Sequence, residues 1–106
     1  LRSKAIQAGY KLASEVPLQT AQLCRQVLDL CQAAVNVGNS AVMSDAGVGA
    51  LMAYAGVQGA VHNVRINLSS IKDEAFVSKM KTDLGELFAE SKVICEAIQQ
   101  QVESKF

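Results

Sequence analysis

The run from Ser44 to Leu68, SDAGVGALMAYAGVQGAVHNVRINL, is too long for a strand and unusually rich in glycine for a helix. Its periodicity is nevertheless helical. Steps of four and three residues from Asp45 give Asp45, Gly49, Ala53, Gly56, Ala60, Asn63 and Asn67, a seam in which polar ends enclose four residues with almost no side chain. Val57, Val61, Val64 and Leu68 flank one side of this seam and Val48, Met52 and Ile66 the other, leaving a narrow polar strip at Gln58, His62 and Arg65. The pattern predicts a central helix buried nearly all round. Glycines 47, 49, 56 and 59 each cost up to about 1 kcal/mol relative to alanine inside a helix, a loss that close approach of another backbone or a flat ligand can offset. Tight helix packing accounts for the small residues alone; Asp45, Asn63 and Asn67, as polar groups on a buried seam, need partners, water or a ligand.

The surrounding chain reads as helix throughout. Ala5, Ile6, Tyr10 and Ala13 share one face before Pro17, which is placed most simply in the first turn of a second helix, with Ser14 near its N-cap; a single kinked helix is the alternative. From Pro17 to about Val37 apolar residues recur at helical spacing, and Gly38 with Asn39 closes that helix. Ser40 to Met43 then read as a connector, with Ser44 and Asp45 offering the N-cap of the central helix. Ser69 and Ser70 mark a turn, and Asp73 and Glu74 suit the positive end of a last helix. Its stripe of Phe76, Met80, Leu84, Leu87, Phe88, Ile94, Cys95, Ile98 and Val102 runs opposite a charged, solvated face. The expected fold is all-α, an antiparallel bundle of long helices around a buried glycine-rich central helix.

Composition narrows the function classes. Ten basic and ten acidic residues cancel, and without a basic patch the electrostatic footprint of a nucleic-acid binder is missing. Cys24, Cys31 and Cys95 have no metal-ligand spacing. The first two lie roughly 10 Å apart on one helix, too far for a disulfide, so all three read as buried thiols of a reducing, cytoplasmic compartment. With a single histidine, no metal site is expected. The 19-residue span between Asp45 and Arg65 has the small-residue spacing of membrane helices, but Gln58, His62 and Asn63 argue against a membrane protein.

The string GNSAVMSDAGVGALMAYAGVQGAVHNVRINLSSIKD, residues 38 to 73, with EVPLQTA at 15 to 21, resembles the formimidoyltetrahydrofolate cyclodeaminase and methenyltetrahydrofolate cyclohydrolase family. Gly-Asn, Ser-Asp-x-Gly-Val and Asn-Val-x-Ile-Asn-Leu occur in order, and the likeness runs over nearly the whole chain. It implies folate-dependent one-carbon chemistry: a cyclodeaminase turning formiminotetrahydrofolate into the methenyl form with release of ammonia, or a methenyltetrahydrofolate cyclohydrolase. A tetrahydrofolate derivative is then substrate and no further cofactor is implied.

The resemblance also implies an absence. Family members carry a glycine-rich helical segment and a helix bearing the acid/base Asp ahead of this region, and neither has a match here. Residues 1–106 are therefore expected to be the C-terminal portion of a single domain, inactive alone, with the missing N-terminal half and further copies of itself as partners. Ser44, Asp45, Asn63 and Asn67 are the candidate substrate-binding residues, and no catalytic residue is assigned. The asparagine amides both donate and accept, as a pterin edge requires; helix-to-helix hydrogen bonding is their alternative role. For Ser44 and Asp45 the helix cap is the favoured role, ahead of a ligand contact. His62 reads as a partly exposed structural residue, and Arg65, opposite the seam, as a surface ion pair or a reach to a carboxylate of another subunit. A non-catalytic helical oligomerisation module is the competing reading of the whole chain.

Overall fold

A computed structural model describes all residues from Leu1 to Phe106. It contains three helices and no strand: α1 (Arg2–Val37), α2 (Ser40–Leu68) and α3 (Glu74–Lys105). They lie side by side as a rod of 59 × 17 × 16 Å, so the antiparallel all-α bundle stands, with three helices where the proline suggested four.

Pro17 lies inside α1 rather than at the start of a second helix. A proline at this position removes the N–H that would bond the carbonyl of Ala13 four residues back. That carbonyl instead accepts from the side-chain Nδ2 of Asn67 on α2, at 3.4 Å. Ser14 is no cap either: it is fully buried, and its hydroxyl donates to the Tyr10 carbonyl at 2.9 Å.

Gly38 ends α1 in the left-handed conformation, φ 83°, with its N–H on the Val35 carbonyl. Asn39 then caps α2 directly, its Oδ1 accepting from Ala41 N at 3.0 Å and Val42 N at 3.3 Å. The connector is thus only two residues long, and Ser44 and Asp45 lie one turn inside the helix instead of capping it. At the other turn Asp73 caps α3 through Phe76 N at 3.1 Å, as its position in the sequence suggests.

The small-residue seam does what its composition requires. A Cβ on Gly56 would lie 2.7 Å from Cys24 Sγ and one on Gly49 3.3 Å from Cys31 Sγ, so these glycines admit the thiols of α1. Gly47 makes room on another flank, for Val102 of α3, whereas a Cβ on Gly59 would meet nothing. The core divides along the rod into one cluster around Leu28, Ala50, Ala53 and Ile98 and a second around Val57, Val61, Val64 and Leu84. Tyr54 and Phe88 join α2 to α3 edge to face, with ring centres 5.9 Å apart.

Burial of α2 all round is not found. The helix is covered on the two flanks that meet α1 and α3, while Val48, Leu51, Met52 and Ile66 are exposed, because two neighbouring helices cannot enclose a third. By length and composition α2 is also long and apolar enough to cross a membrane.

Candidate functional site

The four residues singled out from the sequence fall into two groups. Ser44 and Asp45 occupy the second turn of α2 and Asn63 and Asn67 its last two, which separates Asp45 from Asn63 by about 27 Å at 1.5 Å per residue. One compact ligand cannot touch both ends. Asp45 and Asn63, expected on a buried seam, are exposed, since both lie on the edge of that seam that borders the uncovered stripe of Val48 and Met52.

The asparagines do come together. Asn67 is half-buried, and both protons of its amide are used, one on the Asn63 carbonyl at 2.9 Å and one on Ala13. Its Oδ1 remains an open acceptor. Asn63 makes no side-chain hydrogen bond of its own, which leaves an exposed amide able to donate and accept. His62 next to it is exposed as well.

The first turns of α1 close over this end of the bundle. Gln7 donates to the Ser70 carbonyl at 3.0 Å and accepts from Lys72 N at 2.9 Å, clamping the turn between α2 and α3. Lys11 pairs with Asp73 at 2.7 Å and stands 5.2 Å from the centre of the Phe76 ring. The Lys11 ammonium, followed by the Phe76 N–H, favours the charged carboxylate and holds Asp73 below the usual carboxylate range.

The clefts of the molecule lie elsewhere. One of about 450 Å³ is lined by Arg65, Leu68, Ser69 and Lys81; two others, of about 350 and 370 Å³, open beside Tyr54 and Gln99 and beside Arg25 and Val93. None of them is lined by Ser44, Asp45, Asn63 or Asn67. Two cations with no carboxylate line the first cleft. Arg65 stands out in the sequence, but Lys81 reads there as one of many solvated charges, and only the packing of α3 on α2 brings the two together.

Two of the three thiols are shielded by position. Burial raises the Cys31 and Cys95 thiols above their ordinary range, and all three cysteines are free. No three of the His, Cys, Asp and Glu side chains gather as metal ligands do.

The Formiminotransferase-cyclodeaminase family profile matches residues 1–86. The methenyltetrahydrofolate cyclohydrolase of Methylorubrum extorquens is 40% identical over 98% of this chain and 50% of its own length. The formimidoyltransferase-cyclodeaminases of Sus scrofa and Gallus gallus are 32% and 38% identical, over 98% and 86% of this chain and 19% and 17% of theirs. The chain thus spans about half the length of the first of these relatives and about a fifth of the others.

Proposed function

The chain belongs to the formiminotransferase-cyclodeaminase family, and on that premise we propose that it forms part of an enzyme acting on the one-carbon bridge of a tetrahydrofolate derivative, in the cytoplasm. The observation that carries this reading is the 40% identity with a methenyltetrahydrofolate cyclohydrolase across 98% of the chain. It puts water addition to the methenyl bridge, giving the formyl derivative and a proton, ahead of ring closure with loss of ammonia. The substrate is the folate itself, and the chemistry calls for a general acid/base and groups that orient a flat pterin.

In this reading the end of α2 forms one wall of the site. The free amide of Asn63 would donate to and accept from a pterin edge, and the open Oδ1 of Asn67 would accept a second hydrogen bond beside it. Asn67 suits orientation because its amide protons are already held by Ala13 and Asn63. Ser44 and Asp45, at the far end of the helix, would meet only a second part of a long substrate or a second copy of the site. None of these residues is proposed as a general acid/base, and that role is assigned to the counterpart of the half of the Methylorubrum extorquens relative that residues 1–106 do not match.

Two measurements test the proposal. Titration of a reduced folate should shift the side-chain amide NMR signals of Asn63 and Asn67, and the 106-residue chain alone should hydrolyse methenyltetrahydrofolate no faster than buffer. Absence of any amide shift at saturating folate would favour a purely structural helical module. Full turnover by the chain alone would overturn the assignment of the acid/base elsewhere.

A further inference from the structure

Independently of the folate reading, the cleft of about 450 Å³ between α2 and α3 holds two cations that nothing in the chain neutralises. Arg65, Leu68 and Ser69 line it from the end of α2 and Lys81 from the early turns of α3. The four ion pairs of the molecule leave both cations out: Asp73 is held by Lys11, Asp83 by Lys79, and Asp29 and Glu90 by Arg25. Glu74, the nearest carboxylate on the Lys81 face of α3, lies two turns back, about 10 Å along the axis. Basic side chains at a helix end commonly turn to its last carbonyls, but here those are taken. The carbonyls of Arg65, Asn67 and Leu68 accept from the backbone N–H groups of Ser69, Ser70 and Ile71, and that of Ile66 accepts from Ser69 Oγ at 2.6 Å. Two like charges therefore face one cleft unopposed, a repulsion that a bound anion removes.

We propose that this cleft binds a doubly charged oxyanion, a phosphate group or a pair of carboxylates carried by a small molecule, between Arg65 and Lys81. The planar guanidinium fork of Arg65 fits two oxygens of one group, and the Lys81 ammonium supplies a point charge for a further oxygen. The site is separate from the asparagine wall. Arg65 is two residues from Asn63 and two from Asn67, about 200° round α2 from each, so it opens on the flank that meets α3 while Asn67 turns to Ala13 of α1. A free phosphate compound and the glutamyl carboxylates of a folate present the same chemistry to this pair of cations, and competition separates the two sources.

Inorganic phosphate titrated into the 106-residue chain, with chloride holding the ionic strength constant, should shift the side-chain NMR signals of Arg65 and Lys81 along one saturable curve. Arg65→Gln and Lys81→Gln should each weaken phosphate by about tenfold, the loss of one charge-assisted hydrogen bond. Both side chains are exposed, so the helical circular dichroism should not change. Lys79→Gln, which removes an equal charge already paired with Asp83, should leave phosphate affinity as it is. Phosphate retained in excess reduced folate identifies a separate phosphate compound as the ligand. Phosphate displaced by reduced folate, but not by a pterin lacking the glutamate, identifies the folate tail. Absence of shifts at Arg65 and Lys81, or equal phosphate affinity in the Arg65→Gln, Lys81→Gln double variant and the parent, would overturn the proposal. So would an equal loss of affinity in Lys79→Gln, which would mean that phosphate responds only to overall charge.

Discussion

The side-chain amide of Asn67 donates to the backbone carbonyl of Ala13, the acceptor that Pro17 leaves without its helical N–H. An α2 side chain thereby completes the hydrogen bonding of α1 at its one defect, and α1 runs unbroken for 36 residues. Asn67→Ala should therefore cost about 1 kcal/mol, the usual worth of such a bond. In a Pro17→Ala background, where residue 17 regains its own N–H, the same change should cost markedly less. A double-mutant cycle in urea measures the coupling, and additive costs would mean that the two residues act independently.

The glycines of α2 should separate into two classes. Gly56→Leu thrusts a side chain into the place held by Cys24 Sγ and is expected to cost ~1 to 3 kcal/mol, partly relieved by Cys24→Ala. Gly59→Ala meets nothing and should stabilise by up to ~1 kcal/mol through helix propensity. Thermal melting of the variants distinguishes the two signs.

Asp73 should make stability pH-dependent in the acid range. Its folded pKa is depressed, so its contribution is present above the unfolded carboxylate value of about 4 and is lost as the pH falls through the lower folded value. The melting-temperature gap between the parent and Asp73→Ala is expected to be constant from pH 7 to about pH 4 and to close below it.

Asn63→Ala should divide binding from folding. The side chain is exposed and makes no intramolecular hydrogen bond of its own, so its loss should leave melting unchanged while weakening reduced-folate binding. Calorimetric titration together with a melting curve checks both halves of this expectation. Equal folate affinity in parent and variant would remove Asn63 from the proposed wall.

Cysteine reactivity should follow depth. Cys31 and Cys95 are buried and Cys24 only half-buried, so a small alkylating agent is expected to modify Cys24 first in the native protein. Mass spectrometry of the modified peptides reads the order directly.

Local rules were enough for much of this fold. Helical periodicity marked the apolar faces, Gly38 ended α1 in the left-handed conformation, Asp73 capped α3, and the spacing of Gly49, Ala53, Gly56 and Ala60 announced a close helix contact, because each depends on residues within a few turns of one another. Only tertiary structure decided the rest. Pro17 reads locally as a helix start and is carried through because a donor 54 residues away on α2 satisfies Ala13. Asn39 takes the cap of α2 and extends the helix back to Ser40, so Ser44 and Asp45 become interior positions, far along the rod from Asn63 and Asn67. Periodicity shows that a face is apolar but not whether a neighbour covers it. With three helices, the side of α1 and α2 away from α3 stays open, and that depends on how many helices pack together, which no local pattern records.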